Sequence, residues 1–247
     1  MTGFGLVLLA LGMGDLVAGG LSGQPVPGRR CVFAVLVSFV VALTGALSFQ
    51  YGHWNGGLLV VVATLGSTPW YLSRALNSRP SWTLLWLVVA AVPGFVLSGF
   101  WAAPQNVWIQ RWLDGLPFGW ATDLTQGEVV LSLGVLAVLT STANGVVRSV
   151  LRLASPDLQV SAQRLKGGRI IGVVERMLIF GLAVSGEPTA AGLVISAKSI
   201  LRFPEISKSV GEGDKGDGSV DLVTEYFLLG SLVSWATALF PVVLFLR

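Results

Sequence analysis

Long apolar runs broken by short polar connections set the pattern of this chain. Eight runs can be drawn, over 4–23, 31–49, 56–72, 82–102, 128–147, 169–186, 188–203 and 225–246. Each is continuous rather than alternating with period two, so it reads as helix and not as a strand of a β-barrel. Several approach the ~20 residues a helix needs to cross the hydrocarbon core of a bilayer. The pattern predicts an all-α, polytopic helical membrane protein with about eight transmembrane helices in a single integral membrane domain, 1–247.

Composition agrees. Hydrophobic residues make up 53% of the chain and charged residues 12%, with a mean hydropathy of +0.74. Soluble domains carry about a quarter charged residues. Residues 1–23 have no basic segment ahead of the apolar run and carry Asp15 inside it, so they read as a retained first span rather than a secretory signal.

The basic residues then orient the spans, because alternate loops must share a side and the cytoplasmic side collects Lys and Arg. Arg29 and Arg30 follow span one, and Arg74 and Arg79 follow span three. Arg148, Arg152, Arg164, Lys166 and Arg169 follow span five, and Arg202, Lys208 and Lys215 follow span seven. Together they are 12 of the 16 Lys and Arg residues; Arg111 and Arg247 alone fall on the other set of loops, while Arg176 and Lys198 lie within spans. The expected topology has both termini outside, cytoplasmic loops at 148–168 and 204–224, and an outer loop at 104–127. The net charge of +3 and pI near 9.4 thus reflect topology, and no basic face for nucleic acid is implied.

Two loops have a character of their own. The outer stretch "FWAAPQNVWIQRWLDGLPFGW" holds Trp101, Trp108, Trp112 and Trp120, with Trp108 and Trp112 one helical turn apart, which suits a short helix at headgroup level. The stretch "EISKSVGEGDKGDGSVD" contains Asp214, which stands at a calcium-loop spacing from Glu225 just beyond it. However, Gly216 and Gly218 stand at ligand positions and Ser219 replaces the turn glycine, which rules that reading out. One cysteine, Cys31, and one histidine, His53, leave no multi-cysteine or His-rich metal motif, so no cofactor or metal is expected.

The chemistry sits in charges inside the apolar runs. Spans six and seven should form a hairpin turning at Ser185-Gly186-Glu187-Pro188, with Pro188 at the first helical position. Antiparallel counting from that turn sets Arg176 level with Lys198, Glu175 level with Ser199, and Gly172 level with Arg202. Lys198 and Arg202, four apart, share a face. Glu175 stands about six residues inside its span, roughly 9 Å, and Asp15 about eight residues from the cytoplasmic end of its own, roughly 12 Å. Glu225 opens span eight, where a helix N-terminus favours a carboxylate, and Asn144 closes span five. Asp15, Glu175 and Glu225 are expected to offset Arg176, Lys198 and Arg202 in one cytoplasm-facing cluster, with Ser199 beside them. Each intramembrane charge costs about 2.5–3.5 kcal/mol, so pairing is nearly obligatory, and an arginine fork suits a bidentate carboxylate bond. Gly12, Gly14, Gly19, Gly20 and Gly23 in span one, and the Gly168/Gly172 pair, read as close helix-packing positions.

The segments "LLALGMGDLVAGG", "GGRIIGVVERMLIFGLAVSGEPTAAGLVISAKSILRFPE" and "EYFLLGSLVSWATAL" resemble a bacterial polytopic membrane-protein family built on a domain of unknown function. Its members carry an N-terminal Gly-Asp segment and a C-terminal Glu-Arg…Ala-Lys-Ser…Arg…Glu-Tyr pattern. The resemblance implies that Asp15, Glu175, Arg176, Lys198, Ser199, Arg202, Glu225 and Tyr226 carry that pattern, and that the chain sits in the bacterial inner membrane. This chain departs from the family in having no histidine shortly before Asp15.

Three functions compete. A transporter or channel for a small ion or anionic solute fits the buried charges and Gly-rich helices. A non-catalytic sensor or partner-binding module would work through the cytoplasmic loops. An enzyme acting on lipid or phosphate would need a motif, His-based, Walker-type or paired-Asp, that the chain lacks, so that reading ranks last. The partners expected are membrane lipids, a small ion or anionic ligand and a protein at the cytoplasmic loops; an oligomer is compatible with all three readings.

Overall fold

The structure is a computed structural model that describes residues 1–19, 26–100, 105–117, 124–154, 168–198, 200 and 219–245, with the backbone alone at 168–170 and 219–227. The described residues are helical, with no strand among them. The elements are α1 (Thr2–Val17), α2 (Gly28–Ser48), α3 (His53–Ala75), α4 (Pro80–Phe100), α5 (Val107–Asp114), α6 (Gln126–Ala137), a π-helical turn (Val138–Thr142), α7 (Ala143–Ala154), α8 (Gly168–Val184), α9 (188–198), α10 (Ser219–Leu239) and a closing 3₁₀ segment (Phe240–Phe245). Five helical runs are long and apolar enough to cross a membrane: Gly28–Ser48, His53–Ala75, Pro80–Phe100, Gln126–Ala154 and Leu228–Phe245. Helix α1, with 16 residues, and α8, with 17, fall short of that length.

The helix ends follow local chemistry. Thr125 and Glu128 form a reciprocal capping box at the start of α6, and the Asn106 side chain accepts from the backbone of Trp108 and Ile109 at the start of α5. Gly186, at φ 87°, takes the left-handed conformation that ends α8, Glu187 N–H returns to the Leu182 carbonyl at 2.9 Å, and Pro188 opens α9. The hairpin turn read from the sequence is therefore in place.

The chain divides into two compact units, Met1–Thr142 and Ala143–Arg247. In the first, α1 is the hub. It is apolar and buried along most of its length, and it touches α2, α3, α4, α6 and the π turn. A helix that is apolar all round belongs in an interior. Glycine lets α6 approach: a Cβ on Gly5 would stand 2.7 Å from the Leu131 nitrogen, and one on Gly12 would stand 2.5 Å from the Ala137 carbonyl carbon. Gly12 and Gly14 are thus packing positions, as expected. A Cβ on Gly172 would stand 3.5 Å from the Arg176 guanidinium on its own helix.

Polar groups pin the same stretch of α1. Ser38 of α2 donates to the Ala10 carbonyl at 2.9 Å, Tyr71 of α3 to the Leu11 carbonyl at 2.9 Å, and Ser141 of the π turn to the Gly12 carbonyl at 2.9 Å. Three successive carbonyls, already used within the helix, each accept a second bond from a different neighbour. The outward faces are apolar: Val32, Phe33, Leu36 and Val40 on α2, and Val88, Val92 and Val96 on α4, are exposed. Patches of that extent suit lipid rather than water.

The second unit packs α10 against α7 and α8. Ile179, Ala191 and Ala238 form its apolar centre, with Trp235 and Ile195 against it, and Phe180 meets Phe245 edge to face at 5.7 Å.

Candidate functional site: buried ion pairs

In the first unit, α1 and α3 run in the same direction, since Tyr71 reaches Leu11 and Leu6 clusters with Val60. One turn further along both helices, Asp15 comes level with Arg74. Their side chains form an ion pair with relative exposures of 0% and 8%, and the Arg74 guanidinium lies 5.6 Å from the Trp70 ring centroid. The sequence assigns Arg74 to a cytoplasmic loop. It stands instead in the last turn of α3, where a cation is favoured by the helix dipole and reaches inward. Asp15 thus pairs with Arg74, a residue outside the cluster expected from the sequence.

In the second unit, the α8–α9 hairpin sets Glu175 beside Lys198, within one position of the predicted register, and the two form an ion pair. Trp235 of α10 donates its indole N–H to the other Glu175 oxygen at 2.7 Å, and the Lys198 ammonium lies 5.7 Å from the Trp235 ring centroid. Each Glu175 oxygen therefore has its own donor, and each member of the triad touches the other two.

Arg176 turns elsewhere, because adjacent helical residues point about 100° apart. It donates to Asn144 of α7 at 2.6 Å and to Ser234 of α10 at 3.1 Å. Among the described residues, its fork thus meets an amide oxygen and a hydroxyl. Glu175, Arg176 and Ser234 are all buried, whereas Lys198 keeps a side-chain exposure of 18%. Among the described residues of this group, Lys198 is thus the charge that reaches the surface.

Of the remaining expected residues, Ser199 and Arg202 lie outside the described residues, as do Trp101, Trp120 and the central parts of the loops 148–168 and 204–224. Glu225 falls on the helical backbone of α10, its side chain outside the description. Among the described residues, no three His, Cys, Asp or Glu side chains gather.

Trp235 and Ser234 are site residues that sequence reasoning passes over. The one signal is a polar Ser-Trp step inside the apolar run "GSLVSWATAL", and nothing local fixes its register on α8. Replacing Trp235 by phenylalanine keeps a ring under Lys198 and removes the N–H. The expected loss is about 1.5–3 kcal/mol, the range for a hydrogen bond to a charged group, read by unfolding in mixed micelles. A loss under half a kcal/mol would show that the indole N–H does not hold Glu175.

Comparison with protein families, with curated proteins and with solved structures gives no match.

Proposed function

We propose that the protein is a carrier or channel of the bacterial inner membrane that moves a small ion or anionic solute. The observation behind this reading is the hairpin charge group, in which a partly exposed Lys198 is held by one oxygen of a buried Glu175. An anion arriving at Lys198 would compete with that carboxylate, whose other oxygen stays on Trp235. Intramembrane ionisable residues are functional candidates by default because their insertion is costly.

The proposed topology has eight spans and both termini outside. In the first unit, α1, α3 and α6 run together and α2 and α4 run against them. Arg29, Arg30, Arg74 and Arg79 therefore share one end, and Arg111 sits at the other with the start of α1. The positive-inside rule favours the first end as cytoplasmic.

The closure of the Glu175–Lys198–Trp235 triad favours a second reading, in which the charges lock a scaffold and the loops 148–168 and 204–224 bind a partner. Thermal unfolding of the purified protein with inorganic anions, carboxylates, nucleotides and lipid headgroups separates the two. A ligand at 100 times its Kd contributes about 2.7 kcal/mol, a shift of several degrees. The transport reading expects one anion class to stabilise the wild type, the shift to vanish in folded Lys198→Gln and Arg176→Gln, and the same anion to move into proteoliposomes. No stabilising ligand, with both variants strongly destabilised, overturns it in favour of the scaffold.

A further inference from the structure

Helix α5 carries a surface that the charge groups do not explain. Its inner side is fixed. Leu113 is buried, Ile109 packs on the α1–α2–α3 core, and the Gln126 amide exchanges hydrogen bonds with the Asn106 backbone and takes in Gln110. The Asn106 amide also donates to the Ser48 carbonyl, which ties α5 to the end of α2. Its outer side is apolar and open: Val107, Trp108 and Trp112 are 61%, 77% and 59% exposed. The Arg111 guanidinium lies over the Trp108 ring at 6.0 Å.

This open face does not stand alone. Trp54, at the start of α3, is 91% exposed and Phe100, at the end of α4, is 82% exposed. Helix direction brings both to the end of the first unit where α2 finishes and α6 begins. The same aromatics continue the exposed apolar faces of α2 and α4, with Leu47 of α2 at 69%. Trp rings prefer the water–hydrocarbon boundary, where the ring is shielded and the N–H is wet. An Arg beside a Trp adds a donor set suited to phosphate and glycerol oxygens.

We infer that α5, with Trp54 and Phe100, forms a rigid aromatic platform that binds the phospholipid headgroup region at the non-basic end of the first unit. The occupant is the lipid interface, because the platform continues a surface that already faces lipid, and because its own inner contacts leave α5 no freedom to fold the rings away. This inference stands independently of the transport reading.

Site-directed spin labelling tests it. The single cysteine is removed as Cys31→Ala, and Trp108→Cys, Trp112→Cys and Asp114→Cys are labelled singly with a nitroxide. Each protein is reconstituted into phosphatidylcholine–phosphatidylglycerol vesicles, and collisions with oxygen and with a water-soluble nickel chelate are measured. The platform predicts oxygen-dominated collisions at 108 and 112, at a depth of roughly 5–10 Å below the phosphates, and chelate-dominated collisions at 114. Equal chelate access at all three sites overturns it, showing a loop in water. Shielding of 108 and 112 from both reagents also overturns it, showing a protein or a second copy on this face. The native tryptophans give a check without cysteines. Brominated lipids should quench wild-type fluorescence more than that of the Trp108→Phe/Trp112→Phe variant, and equal quenching counts against the platform.

Discussion

Replacing Arg74 by alanine is expected to destabilise the protein by about 3–5 kcal/mol, the cost of leaving a buried charge without its partner. Asp15 has no exposed surface and sits inside the helix hub, so no water reaches it in compensation. Asp15→Ala should cost less, because Arg74 stands in the last turn of α3 and its long stem can carry the guanidinium outward. The double variant Asp15→Ala/Arg74→Ala should cost less than the two single changes added together, with a coupling of about 1–3 kcal/mol. Equilibrium unfolding in mixed micelles reads all four proteins. Costs that simply add would show that the two side chains do not hold each other.

The second large effect is steric. Gly12→Leu should cost at least about 3 kcal/mol, the upper end of the usual overpacking range. At Gly12 the obstacle is the Ala137 backbone and its Cβ, at 2.5 and 2.7 Å from the added carbon, and not a side chain that can swing away. Helices α1 and α6 must separate, and the Ser141 bond to the Gly12 carbonyl goes with them. Gly181→Ala and Gly192→Ala are the controls. Both are helical glycines with nothing within 4 Å of the added carbon, so each should be neutral or gain roughly 0.5–1 kcal/mol. A Gly12→Ala change as mild as these would mean that α1 and α6 do not approach closely.

The residues differ in how far their places can be read from the sequence, and the reasons are physical. The α8–α9 register is legible because one short turn sets it, so counting outward from residue 187 brings Glu175 to within one position of Lys198. The packing role of Gly12 is legible because small residues recur on an apolar helix. The Asp15–Arg74 pair is hidden because the two residues lie 59 apart and their level depends on α1 and α3 running parallel, which no local pattern states. Trp235 is hidden for the same reason on α10. Arg176 is hidden likewise: its described partners, Asn144 and Ser234, stand 32 and 58 positions away on other helices.

The three α1 carbonyls that accept a second hydrogen bond also set an order in time. Ser38 follows Ala10 by 28 residues, Tyr71 follows Leu11 by 60, and Ser141 follows Gly12 by 129. At about 5–20 residues per second, Ser141 leaves the ribosome roughly 6–26 s after Gly12. During that interval α1 has neither its π-turn donor nor its close partner α6, and Asp15 waits for Arg74 through the first half of it. Helix α1 is made before every described helix that encloses it.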